Sequence, residues 1–94
     1  MLNERIRKLR LERGWSQVEL AKKLNVTKQS VSNWENDNIQ PSIEMLIKLA
    51  KVFAVSTDYL LGLEDRRYLE VTGISDEEIS HIQLVIRDLA GRER

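Results

Sequence analysis

The stretch QVELAKKLNVTKQSVSNW, residues 17–34, decides how this chain folds. Ser16 and Glu19 open it as a capping box: the serine oxygen accepts a free N–H at the helix start, and the glutamate reaches back to the Ser16 N–H. The spacing predicts a helix to Leu24 that buries Val18, Leu20, Ala21 and Leu24. Asn25 ends it, because asparagine tolerates positive φ better than any residue but glycine. Thr27 then caps a second short helix through Glu35, with Val31 and Trp34 facing inward. Two short helices joined by so tight a turn must cross steeply. That crossing needs a small residue where they touch, and Ala21 supplies it. Lys28, Gln29, Ser32 and Asn33 are left together on the outer side of the second helix.

Working outward, Leu2, Ile6 and Leu9 follow helical spacing and predict a helix from Asn3 to Arg13, stopped by Gly14. After a polar loop from Asn36 to Gln40, Pro41-Ser42 opens another helix. Its only polar stripe is Glu44, Lys48 and Lys51, so the remaining face, from Ile43 to Phe53, is expected at the buried centre of a bundle. Ser56 caps a short helix from Thr57 to Leu61, stopped by Gly62. Residues 63–74 lack helical patterning and read as a linker, with Tyr68-Leu69-Glu70-Val71 as a possible extended piece before the Thr72-Gly73 turn. Ser75 to Glu78 is a second capping box. It opens a final helix expected to run to Ala90 and stop at Gly91, within a C-terminal segment of residues 75–94. The expected architecture is all-α: a five-helix bundle over 1–62, a linker, and a C-terminal helix.

The 94 residues are enough for one core and contain no cysteine, one histidine and one proline. A disulfide or thiolate metal site is therefore excluded, a zinc centre has almost no ligands, and no cofactor is expected. The longest apolar run, residues 52–55, is too short to cross a bilayer, so no membrane partner is expected, and the lack of cysteine fits a reducing cytoplasm. Formal net charge is zero, yet it is unevenly placed: residues 1–62 carry +3 and residues 63–94 carry −3. A cationic front and an anionic tail suggest two roles. Neither a nucleophile elbow nor a Gly-rich phosphate loop is present, so the expectation is that the chain is not an enzyme.

Taken with Ile6 to Arg10, Trp15 to Ala21, Val26 to Asn36 and Val55 to Gly62, this pattern resembles the Cro/phage-repressor type (XRE family) of helix-turn-helix transcriptional regulators. The resemblance covers residues 2 to about 62. It implies a lambda-repressor-like bundle whose third helix enters the major groove of double-stranded DNA. Asn25 stands where the family usually has glycine, and the anionic tail lies outside the family's core domain. The residues themselves agree on the face. Gln and Asn can pair with adenine N6 and N7, Lys can donate to guanine, and Ser is permissive, so Lys28, Gln29, Ser32 and Asn33 are the candidate base contacts. The bland alternative is a solvated polar stripe. Gln17, Thr27, Asn36 and Asn38, at helix starts or in the following loop, are candidate phosphate contacts. For Thr27 a cap, and for Asn38 an ordinary turn, are the competing roles. The resemblance further implies that Arg10 and Glu35 form a structural pair tying the first helix to the third; two unrelated surface charges are the alternative.

Ile79, Ile82, Val85, Ile86 and Leu89 make a heptad-like seam on the last helix. A homodimer is the expected use, with two recognition helices reading a palindrome. The rival is a seam folded back on residues 1–62, with Leu84 on the opposite face meeting Leu69 or Val71. His81 reads as a solvated surface histidine, and Glu77 and Glu78 as carboxylates favoured by the helix dipole. The leading function is a DNA-binding regulator, most simply a repressor. An antitoxin with the same DNA-binding domain, or a helical interaction module, are the alternatives, and an unknown protein partner or inducer stays open.

Overall fold

The structure is a computed structural model that describes residues 1–92, with the side chain of Arg92 left aside. Among the described residues six helices follow in order: α1 (Leu2–Glu12), α2 (Gln17–Leu24), α3 (Lys28–Glu35), α4 (Ile43–Phe53), α5 (Thr57–Leu60) and α6 (Asp76–Arg92). Among the described residues there is no strand.

Local chemistry explains the boundaries. Ser16, Thr27, Ser42 and Ser56 each accept a backbone N–H three residues on, satisfying donors that the first turn leaves free. The expected box at α2 is complete: Glu19 N–H to Ser16 Oγ and Ser16 N–H to Glu19 Oε1 are both 3.1 Å. Its twin opens α6, with Ser75 N–H to Glu78 Oε1 at 2.8 Å and Glu78 N–H to Ser75 Oγ at 3.1 Å. Those bonds hold the Glu19 and Glu78 carboxyls below their ordinary pKa, the serine backbone N–H first and the serine side chain second. Asn25 ends α2 at φ 57° and lets the chain reverse into α3. Gly14 likewise turns at φ 71° after α1.

Helices α1 to α5 enclose one core. Ile6, Leu9, Leu20, Val31, Leu49, Phe53 and Leu60 are fully buried, with Ala21, Leu24, Trp34 and Tyr59 close behind. Trp15 stacks on Phe53 with ring centroids 5.8 Å apart. Arg13 Nη2 donates to the Phe53 carbonyl at 2.6 Å, supplying a partner where the end of α4 has no intrahelical donor.

Several expectations fail here. Val18 is exposed, because the buried side of α2 is covered by Leu20, Ala21 and Leu24 alone. α4 is not the all-round buried centre: Leu49, Ala50 and Phe53 face the core, whereas Ile43 is 78% exposed and Ile47 is 45% exposed. The other four helices of the bundle do not surround it on every side. Residues 68–71, read as a possible extended piece, lie outside every helix and join no ladder, which leaves that reading neither gained nor lost. α6 continues through Gly91 to Arg92, since glycine at a helix end permits a stop without compelling one. Residues 93–94 of the expected C-terminal segment lie outside the described residues.

α6 also does not fold back on the bundle. Leu84, Val85, Ile86 and Leu89 are each about half exposed, and Leu84 is not buried against Leu69 or Val71, both of which face solvent. The radius of gyration is 15.4 Å, against about 12 Å for a compact chain of this length. The preceding segment is pinned to α1 instead. Asp65 accepts from Arg5 at 2.9 Å, and Arg67 donates to Glu12 at 3.2 Å. Both arginines lie against the Tyr59 ring, at 4.0 and 5.3 Å from its centroid.

Candidate nucleic-acid interface

The outer face of α3 is set by its inner one. Val31 and Trp34 anchor the helix in the core, so residues at the complementary positions must face out. Lys28 and Gln29 are exposed, and Ser32 and Asn33 are half-buried at their edge. Gln29 Nε2 donates to Asn33 Oδ1 at 3.0 Å, and Asn36 Nδ2 donates to Ser32 Oγ at 3.3 Å. Both bonds span one helical turn, where side chains stand above one another.

The far end of α3 is held by charge. Arg10 of α1 reaches Glu35 twice, Nε to Oε2 at 2.7 Å and Nη2 to Oε1 at 3.0 Å, and spends Nη1 on the Trp15 carbonyl at 2.7 Å. The two side chains are 10% and 3% exposed. Only a planar guanidinium can meet both carboxylate oxygens and a third acceptor at once. Glu35 takes one more hydrogen bond from Gln17 Nε2, at 3.2 Å. Three helices therefore converge on one carboxylate, and the last turn of α3 is fixed relative to α1 and the start of α2.

The candidate phosphate contacts take different positions. Gln17 is half-buried, and its amide is partly occupied by Glu35, a tie that the sequence reading did not foresee. Its signal was available only in space, since residues 17 and 35 share no helical register. Thr27 Oγ1 accepts from the Ser30 N–H and also meets the Ser30 hydroxyl, both at 3.1 Å, so capping occupies it. Asn36 lies at the end of α3 and Asn38 in the exposed loop beyond it, where the Asn38 N–H donates to the Asn33 carbonyl at 2.9 Å. Asp37 between them adopts φ 58°, which folds this loop beside the α3 face. Among the described residues, no group of His, Cys, Asp or Glu is placed to hold a metal, and no helix is long and apolar enough to cross a membrane.

This geometry has named counterparts. The helix-turn-helix family profile matches residues 6–60, more than half of the chain. The chain belongs to the helix-turn-helix (XRE-type) family. Among curated relatives of this helix-turn-helix protein, the transcriptional regulator ImmR of Bacillus subtilis is 33% identical over 87 residues, covering 93% of this chain and 68% of ImmR. The chain spans only 56% and 58% of two other regulators of that strain. Among solved structures, the biofilm master regulator SinR in complex with DNA is 40% identical with a TM-score of 0.61, covering 65% of this chain and 98% of that one. A chain of the SinR/SinI protein complex extends the likeness to 97% of this chain and 99% of that one, at 28% identity and a TM-score of 0.62.

Proposed function

We propose that this chain is a sequence-specific DNA-binding transcriptional repressor that grips a palindromic operator as a homodimer, and that it is a cytoplasmic regulator rather than an enzyme. The observation that carries the reading is the polar stripe of α3, exposed on one side and locked to the bundle on the other. A helix that must enter a major groove needs both properties: free donors and acceptors, and a fixed angle. Residues 1–62 are the DNA-binding unit, with Lys28, Gln29, Ser32 and Asn33 facing base edges. Gln17, Thr27, Asn36 and Asn38 are assigned to phosphates, Thr27 through the backbone at the start of α3 because its side chain caps that helix. The modest positive charge of this unit predicts weak binding to random DNA, so that base contacts dominate the choice of site.

Residues 63–74 serve as the linker, and residues 75–94 as the dimerising segment. Ile79, Ile82, Val85, Ile86 and Leu89 lie along one side of α6, where Val85, Ile86 and Leu89 are exposed and Ile79 and Ile82 half-buried among the described residues. Pairing with the same seam of a second copy buries them, and sets two α3 helices about 34–36 Å apart, one turn of DNA. A second reading gives the same seam to a helix of another protein. The similarity over nearly the whole chain to a chain of the SinR/SinI complex supports it.

Selection of random duplex DNA by the purified protein tests the function directly. A palindromic consensus with half-sites one turn apart is expected. Failure to enrich any sequence, with no salt-sensitive binding to duplex DNA, would leave only an interaction module.

A further inference from the structure

We propose that Gln29 and Asn33 read one base pair as a single unit, with Asn33 positioning the Gln29 amide for adenine. This rests on α3 being the recognition helix. From sequence, both residues stand as independent base contacts. The structure ties them together: Gln29 Nε2 donates to Asn33 Oδ1 at 3.0 Å across one turn. A glutamine amide on a helix surface is carried by three rotatable bonds, and its plane is ordinarily free. Here one N–H is committed, which fixes the orientation of the plane.

What remains free on Gln29 is its Oε1 acceptor and its second N–H. Adenine presents the complement in the major groove, an N6 donor beside an N7 acceptor. The committed N–H must be the one trans to Oε1, which leaves Oε1 and the cis N–H together on the edge that adenine complements. Asn33 is changed in the opposite sense. Its Oδ1 accepts from Gln29 and keeps a second lone pair, but the bond turns that oxygen toward the partner amide and leaves the two Nδ2 donors as the open edge. Asn33 therefore acts through Gln29 rather than as a second reader of adenine. On the neighbouring stripe, Asn36 donates to Ser32 Oγ in the same way and leaves the serine hydroxyl proton as a donor. The reading face is thus a set of linked side chains whose open groups are decided within the helix.

The test uses the full chain and an operator from the random-duplex selection, with all four base pairs placed in turn at the preferred adenine. Affinities are measured by fluorescence anisotropy at one salt concentration, and circular dichroism checks that the surface variants fold. Wild type is expected to prefer adenine by roughly ten- to hundredfold. Gln29→Ala abolishes that preference. Asn33→Ala reduces it about tenfold at the same base pair, and the double variant loses no more than Gln29→Ala alone. Asn33→Asp keeps an acceptor for Gln29 and is expected to retain the preference, while affinity for all four duplexes falls together because the added carboxylate repels phosphate. The proposal is overturned if Asn33→Ala alters the preference at a different base pair and the two single effects multiply in the double variant. That result would leave the recognition helix standing. If neither variant changes the selected site, both the pairing and the recognition-helix reading beneath it fall.

Discussion

Arg10→Met offers the sharpest test of how the recognition helix is held. The substitution keeps an unbranched side chain of similar reach and removes the guanidinium. Glu35 then loses both bonds from α1 and retains only the Gln17 amide, while its side chain stays 3% exposed. The Trp15 carbonyl loses its arginine donor as well. An isolated carboxylate in such a site costs about 3–5 kcal/mol, because burial strips its water and nothing charged replaces it. Small domains are stable by only about 5–15 kcal/mol, so from about a fifth to all of the total is at stake. For a domain of this size the melting temperature is expected to drop by roughly 4–8 °C per kcal/mol. Urea melts followed by the fluorescence of Trp15 and Trp34 measure the loss. Arg10→Met with Glu35→Leu should recover most of it, since the buried charge is gone and an apolar pair fills the space. A loss of about 0–1 kcal/mol for Arg10→Met would place the pair with exposed salt bridges and refute the argument.

Three further perturbations follow from other parts of the structure. Ile82→Glu or Ile86→Glu puts a charge in the α6 seam and is expected to give a folded monomer with weak operator binding; sedimentation of a wild type that is already monomeric at tens of micromolar, about the weakest useful dimer affinity, would end the dimer reading. Ala54 closes α4 at φ 54°, a left-handed conformation that an L side chain pays for, so Ala54→Gly is expected to stabilise by roughly 0.5–1 kcal/mol in denaturant melts; an unchanged or lower midpoint refutes this. The Glu78 carboxyl is held below its ordinary value of 4.5 by the Ser75 backbone N–H and then the Ser75 side chain, so its support for α6 is complete above that pH and is lost as pH falls through the lowered value. A far-ultraviolet titration should show helix loss in that range, and Glu78→Ala should remove this component.

How much of this was legible in the sequence depended on how local the cause was. Every serine or threonine cap and both capping boxes were readable, because donor and acceptor lie within four residues. So was the outward stripe of α3, since Trp34 and Val31 leave no other face for Gln29 and Asn33. Apart from the end of α6 at Gly91, the failures share one physical reason. Composition tells which residues would profit from burial, but packing geometry decides which are served. Ile43 and Ile47 carry the same apolar signal as Leu49 and Phe53, yet only the side of α4 that bears Leu49, Ala50 and Phe53 reaches the core. Residues 68–71, outside these failures, have strand-like side chains, but a strand exists only where another strand accepts its hydrogen bonds. The tie from Gln17 to Glu35 is of the same kind: it arises because α1 and α3 bring Glu35 beside the start of α2, a convergence that no periodicity encodes. It also changes what Gln17 can do. An amide already donating to Glu35 has one N–H left for a phosphate, so a phosphate contact at Gln17 would link the grip on the DNA backbone to the carboxylate that fixes the angle of α3.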